Sequence, residues 1–146
     1  MGQKDVNPDT SDTVHGKTPL SWAAEYRREG VVKLLLGRKD VNPNSLSKDS
    51  RTPLSLAVET GHEGIVKLLL GRDDINPDTL DTLFGRTSLS WAAMYGHERV
   101  VKLLLERKGV DPNSSDKFGQ TPLMLAAEGR YDRVVELLRT RYSQHI

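Results

Sequence analysis

Two apolar patterns alternate along the chain, and each predicts a helix. The first is a short cluster: TPLSWAA at Thr18–Ala24, TPLSLAV at Thr52–Val58, TSLSWAA at Thr87–Ala93 and TPLMLAA at Thr121–Ala127. Threonine supplies an N-cap oxygen, and proline at the first helical position has its φ already fixed and no N–H to leave unpaired. Ser88 stands in for proline in the third copy, which keeps the cap and loses the pre-organisation. The small pair Ala23-Ala24, with its equivalents, lets a neighbouring helix approach closely. The helix has room for about two turns before Gly61 and Gly96 arrive, where a left-handed C-terminal residue is expected. Arg27 and Arg130 occupy that glycine position in the other copies. A side chain in the left-handed region costs about 1 kcal/mol. Looser or differently shaped turns are therefore expected there, with Gly129 taking over the role in the last copy.

The second pattern is VVKLLL (Val31–Leu36), IVKLLL (Ile65–Leu70), VVKLLL (Val100–Leu105) and VVELLR (Val134–Arg139). Only its third position is regularly charged. A helix apolar nearly all round is buried on several sides, and one short unit cannot enclose it alone. Arg38-Lys39, Arg72 and Arg107-Lys108 follow directly, where a helix C-terminus favours cations; this structural reading outweighs that of a basic binding patch. Turn formers come next, as VNPNS (Val41–Ser45), INPDT (Ile75–Thr79) and VDPNS (Val110–Ser114). Gly16, Gly85 and Gly119 close these fingers at positive φ, and Ser50 marks a point of strain or altered turn shape.

Threonines 18, 52, 87 and 121 stand 34, 35 and 34 residues apart. A fixed period in this range means stacked units with a continuous core, and such arrays mostly bind other macromolecules. The expected architecture is an all-α repeat solenoid of helix-turn-helix units with projecting turn fingers. Residues 17–50, 51–85, 86–119 and 120–146 are the four units, and residues 1–16 are the finger of a preceding one.

Composition narrows the function classes. Lys plus Arg (21) nearly balances Asp plus Glu (20), so no global field draws the 146-residue chain to nucleic acid or membrane. With no cysteine there is no disulfide frame, thiolate metal site or cysteine nucleophile; a reducing, intracellular and cytoplasmic setting fits. Leucine triplets are far too short to span a membrane, and MGQKDVNPDT is no secretory signal. No phosphate loop, HExxH or GxSxG occurs. His62 and His97 recur at equivalent positions beside Gly61 and Gly96, as structural residues do. The reading is of a chain without catalytic residues, metal or cofactor. Asp12, Asp49, Asp81 and Asp116 recur near finger tips, where they read as solvated carboxylates or contacts for a basic partner.

The combination of TPLSxAA, the glycine-histidine pair, VVKLLL and DVN resembles ankyrin repeats. The likeness covers residues 17–138 in all four units, and Val6-Asn7 extends it into a preceding one. The Ser-Trp-Ala-Ala and Asp-Val-Asn-Pro wording is similar to arrays at the ends of large fungal proteins, including nucleotide-binding receptors of innate-immune type. The chain departs from the family pattern in several places. Ser21, Ser55, Ser90 and Met124 replace its histidine, so the polar network at that position is incomplete in the last unit. Trp22 and Trp91 alternate with Leu56 and Leu125, and core packing is their expected role, with an acceptor found for each indole N–H. The fingers are longer than the family's, 11 steps from Val41 to Thr52 and 12 from Ile75 to Thr87.

The resemblance implies protein recognition on a concave face, by residues flanking the finger glycine and following the Ala-Ala pair. Mapped onto this chain, the candidates are Tyr26, Arg51, Phe84, Arg86, Met94, Tyr95, Phe118 and Gln120. The third unit is the most interface-like, with Phe84, Arg86, Met94 and Tyr95 together; Phe84 and Phe118 equally fit local packing between fingers. Further expectations concern the ends. Arg139 replaces a leucine and RTRYSQHI follows, giving the polar outer face of a terminal cap. At the other end KDVNPDTSDTVHGK matches DDINPDTLDTLFGR at 73–86 with no capping helix before Thr18. The chain then reads as the C-terminal piece of a longer array, with Leu20, Val31 and Leu35 open to self-association. A purely architectural array is one rival reading. Nucleic-acid binding through Arg130, Arg133, Arg139 and Arg141 is another, disfavoured by the intervening Asp132 and Glu136 and the lack of an aromatic ladder.

Overall fold

A computed structural model describes residues 7–145, with side chains up to Arg141. Val6 and the start of the expected 1–16 finger lie outside the described residues, as does Ile146. Eight helices follow one another among them: α1 (Pro19–Glu25), α2 (Glu29–Leu36), α3 (Pro53–Thr60), α4 (Glu63–Leu70), α5 (Ser88–Met94), α6 (Glu98–Glu106), α7 (Pro122–Glu128) and α8 (Asp132–His145). They form two rows. In one, α1, α3, α5 and α7 pack in sequence; in the other, α2, α4, α6 and α8 do so, and each pair is joined back to back. No strand occurs among the described residues. The stack is the all-α solenoid that the period predicts.

Local chemistry explains each short helix. Thr18, Thr52, Thr87 and Thr121 accept the N–H of the residue three places on, and only Ser88 lacks the proline at N1. Ser21, Ser55 and Ser90 are buried against those threonines; Met124, at the same position, is exposed. Ala23-Ala24, Ala57-Val58, Ala92-Ala93 and Ala126 line the seams between helices, and Val32, Val66, Val101, Leu69, Leu104 and Leu138 fill the space between the two rows. Val41, Ile75 and Val110 anchor the base of each finger in the same core.

Two turn expectations are corrected. Arg27 (φ 62°) and Arg130 (φ 61°) enter the left-handed region themselves, while Gly129 stays right-handed at φ −78°. The turns keep one shape. Arg28 N–H bonds to Ala23 O at 2.8 Å, as His62 does to Ala57 (3.2 Å), His97 to Ala92 (3.0 Å) and Tyr131 to Ala126 (3.0 Å). The helix-ending bond outweighs the side-chain penalty, so the arginines carry strain instead of relaxing it. At Gly61 and Gly96 a second constraint operates: the ring of His97 or Tyr131 lies where a Cβ would go. Ser50, at φ 57°, likewise holds the turn of the glycine it replaces; its N–H reaches Ser47 O at 2.9 Å, as Gly119 N–H reaches Asp116 O at 3.0 Å.

The first unit is open, but not as expected. Leu20 is 1% exposed, because α1 turns it toward α3 and the core. Val31 is 47% and Leu34 76% exposed, while Leu35 is half-buried. The equivalents of Val31 (Ile65, Val100, Val134) and of Leu35 (Leu69, Leu104, Leu138) are buried, and those of Leu34 (Leu68, Leu103, Leu137) are half-buried. What differs is the helix row: α2 has a neighbour on one side only among the described residues.

The arginines after each leucine triplet do more than neutralise their own helix. Arg72 Nη1 donates to Leu36 O (3.0 Å) and Arg38 O (3.3 Å), and its Nη2 to Val41 O (3.2 Å). Arg107 donates in the same way to Leu70 O and Arg72 O, and Arg141 to Leu105 O. Each guanidinium therefore satisfies the orphan carbonyls of the preceding unit's helix. Arg38 instead folds onto Asp40 at 2.8 Å.

Candidate functional site

The candidate residues gather on the face made by the row α1, α3, α5 and α7 and the fingers beside it. Finger tips are organised from within. The Asp81 carboxylate is buried and accepts Phe84 N–H (2.6 Å), Arg86 N–H (3.3 Å) and the Trp91 indole Nε1–H (2.9 Å). Asp12 does the same for Val14 (2.9 Å), His15 (2.6 Å), Lys17 (3.0 Å) and Trp22 Nε1 (2.9 Å). Asp116 accepts from Phe118 and Gln120 (both 2.9 Å) and from Arg86 Nε (3.0 Å). In the second finger Ser47 takes this position and accepts Arg51 N–H at 3.1 Å. Solvated or partner-facing carboxylates were the expectation for all four aspartates; of these Asp49 alone is an exposed tip, two residues past the position that Ser47 takes. A carboxylate offers two oxygens and several lone pairs, so a single one can hold a whole tight turn.

The donors set the titration of these groups. Chiefly the His15 N–H, against the opposing effect of burial and helped by Lys17, Trp22 and Val14, lowers Asp12 from 3.8 to about 2. Because its pKa is depressed on folding, this carboxylate's contribution to stability is present above 3.8 and is lost as pH falls toward 2. Burial pushes Asp116 up, but the Gln120 and Phe118 N–H groups and the Arg86 guanidinium outweigh it and hold the carboxyl below its ordinary range.

A second regularity links each finger to its helix. Lys17 Nζ meets Glu25 Oε1 at 2.6 Å, Arg51 Nη2 meets Glu59 Oε2 at 2.8 Å and Gln120 Nε2 meets Glu128 Oε2 at 2.9 Å. Met94 replaces the glutamate in the third unit, so Arg86 turns to Asp116 and places Nη1 at 3.2 Å from the Met94 sulfur. Arg51 and Arg86 are buried, and their guanidinium carbons lie 4.7 and 5.2 Å from the Trp91 ring centroid. They support the face from beneath instead of projecting from it.

Aromatic rings project, beside the exposed finger-tip residues Val14 and Leu83. Tyr26 is 59% exposed and stacks on Trp22 at 5.5 Å; Tyr95 is 40% exposed and stacks on Trp91 at 6.0 Å. The two phenylalanines divide. Phe84 is half-buried, edge-on to Trp91 at 5.8 Å, whereas Phe118 is 68% exposed with its ring 6.4 Å from that of Phe84. Met94 and Gln120 are half-buried and border a hollow of about 260 Å³ with Arg86 and Glu128. Another of about 250 Å³ opens between the first two units, beside His15, Lys48 and Arg51. Sequence reasoning missed the finger carboxylates as turn organisers; the one available signal was the constant ten-residue offset of Asp12 from Trp22 and Asp81 from Trp91.

The remaining side chains raised by the sequence have structural work. His62 Nδ1 caps α4 by accepting Ile65 N–H at 3.1 Å, and His97 Nε2 lies 3.1 Å from Glu59 O. Arg141 belongs to the carbonyl ladder, and Arg133 lies 3.6 Å from Glu98. Among the described residues no three His, Asp or Glu side chains are placed to share a metal ion, and no helix is long and apolar enough to cross a membrane.

A family model for ankyrin repeats (3 copies) matches residues 2–81 and again 73–145. The chain belongs to the ankyrin repeat family. Ankyrin repeats are generally protein-interaction modules and typically non-enzymatic. A search of curated proteins found no match to this ankyrin array.

Proposed function

We propose that this array is a non-catalytic recognition module that holds a protein partner on its concave face, the face of the short helices and fingers. The observation that carries the reading is the set of exposed rings, Tyr26, Tyr95 and Phe118, each resting on another ring of the fold. Exposed aromatics whose rotamers are already restricted lose little entropy on binding, and they are the types enriched at interface hot spots. Arg51, Arg86, Phe84, Met94 and Gln120 shape and support the face around them. The ankyrin family supplies the general role; the partner-binding residues rest on this placement. The Ser-Trp-Ala-Ala and Asp-Val-Asn-Pro wording supports a place within a larger, receptor-like protein of fungal type, working inside the cell.

The test compares wild type with Tyr95→Ala and Phe118→Ala as bait in affinity capture. Proteins retained by wild type should be lost from the variants, with Tyr95→Ala weakening the complex by more than about 1 kcal/mol and leaving the melting temperature nearly unchanged. Equal retention, or equal loss of fold and binding, removes Tyr95 from the interface.

Val31 and Leu34 favour a second reading, self-association through the open side of the first unit. Light scattering of Leu34→Glu against wild type separates the two: this reading requires concentration-dependent association in wild type that the variant abolishes.

A further inference from the structure

The face repeats over two units, not one. Thr18 and Thr87 are 69 residues apart, and so are Thr52 and Thr121. In the first and third fingers, those leading into Thr18 and Thr87, the turn closes by a bond to the fourth residue back, Gly16 N to Asp12 O and Gly85 N to Asp81 O, both 3.1 Å. In the second and fourth it closes to the third residue back, at Ser50 and Gly119. Only the odd units have a finger carboxylate bonded to a tryptophan with a tyrosine stacked on it at an angle of 14–15°. The even units have leucine at the tryptophan position, and Thr60 and Gly129 where the tyrosines stand. At this position of the helix row relief therefore alternates, tall ring, hollow, tall ring, hollow, with Phe118 standing apart on the fourth finger. The rings cannot sink, because each underlying indole is tied down by its aspartate. Helix α1 packs on α3 and α3 on α5, so the two tyrosines are two packing steps of about 8–10 Å apart, roughly 16–20 Å.

Beside the two tyrosines charge is spent internally; Asp49, exposed at the second finger tip, and Glu128, bonded by the Gln120 amide, lie outside that stretch. Lys17 pairs with Glu25, Arg51 with Glu59 and Arg86 with Asp116, while Lys48 and Lys117 donate to the carbonyls of Thr13 and Thr82. A charged partner seated at the tyrosines would have to break the Lys17–Glu25 or Arg86–Asp116 pair to form one, whereas an uncharged apolar side chain meets exposed rings directly. We infer, resting on the recognition role above, that the partner binds alternate units. It is an uncharged segment carrying two apolar side chains, one seated at Tyr26 and the other at Tyr95, with its backbone crossing the hollow at Thr60. The spacing of about 16–20 Å corresponds to roughly 11 residues on one face of a helix or about 6 in an extended strand.

Selection of a random peptide library of about 16 residues on the full chain, followed by anisotropy titration of the enriched peptides, tests this. Enriched sequences should be poor in charge and carry two apolar positions at one of those spacings. Tyr26→Ala and Tyr95→Ala should each weaken them about 10-fold or more, with circular dichroism melts unchanged. Affinity should shift less than about 2-fold between roughly 0.05 and 0.5 M salt. Loss with Tyr95→Ala alone overturns the alternate-unit arrangement and leaves single-site recognition standing. Enrichment of charge-rich, salt-sensitive peptides overturns the partner's chemistry. Binders indifferent to Tyr26, Tyr95 and Phe118, or no enrichment at all, overturn both this inference and the concave-face reading.

Discussion

Asp81 is the most informative single change in the array. Its carboxylate is buried in the third finger and receives three donors, of which Phe84 N–H at 2.6 Å and Trp91 Nε1–H at 2.9 Å are well placed and Arg86 N–H at 3.3 Å is weak. Hydrogen bonds to a charged acceptor are worth about 1.5–3 kcal/mol each. Two strong ones give a gross loss of roughly 3–6 kcal/mol for Asp81→Ala. Part of this returns, since Phe84 is half-buried and water can reach its amide, and since the cost of burying the carboxylate disappears. A net loss of about 2–4 kcal/mol is expected, which for a chain of this length lowers the melting temperature by roughly 5–15 °C. Thermal and urea unfolding should be followed by circular dichroism and tryptophan fluorescence in parallel, because repeat arrays can lose cooperativity. Asp49→Ala, on an exposed tip of the neighbouring finger, should stay within about 0.5 kcal/mol. In a Trp91→Leu background Asp81→Ala should cost at least about 1 kcal/mol less, the coupling of a direct contact. If Asp81→Ala and Asp49→Ala behaved alike, or the cycle showed no coupling, the finger carboxylate would not be the organiser described above.

Three more outcomes follow from the same geometry. Arg107→Ala, which uncaps Leu70 and Arg72 carbonyls, should lower the urea midpoint by the equivalent of about 1–3 kcal/mol, whereas Arg38→Ala, paired with Asp40 at the surface, should leave it nearly unchanged. Asp78→Asn should stabilise by about 0.5–1.5 kcal/mol: Asp78 Oδ1 is buried without a partner, while Asn44 at the same position donates Nδ2 to Asp74 O at 2.7 Å. Burial pushes the Asp78 carboxyl above 3.8 and the nearby Asp111 charge adds to it, against the Asp111 N–H. The native state therefore holds this proton more tightly, wild-type stability falls as pH rises through that window, and the advantage of Asp78→Asn should shrink at acid pH in a pH series of melts. Arg130→Gly relieves a left-handed φ of 61° and should raise the midpoint by the equivalent of about 1 kcal/mol; a loss would mean that its side chain makes contacts worth more than the strain.

The stack, the threonine caps and the left-handed turns at Gly61 and Gly96 were legible in the sequence because they are local: each needs only a few adjacent residues at the right spacing. The contacts between units were not. Arg72 stands directly after its own helix, so chain proximity points to its own C-terminus, yet its guanidinium reaches back to the unit before, a register that only stacked coordinates reveal. Leu20 was misassigned and Leu34 missed for a related reason, since which edge of a short helix faces its neighbours depends on how the rows are set side by side. At the candidate site the list of face residues was readable from the repeat, but its depth was not. Arg86 and Tyr95 sit at equally recurrent positions, and only packing around Trp91 decides that one is buried beneath the other.

The backward reach of the arginines has a consequence for synthesis. The carbonyls at Leu36 wait for a guanidinium 36 residues further on. At ribosomal rates of about 5–20 residues per second that is a delay of roughly 2–7 s. Throughout translation the newest complete hairpin is thus always the least finished one, and the nascent chain matures from its start toward its end, one step behind the ribosome.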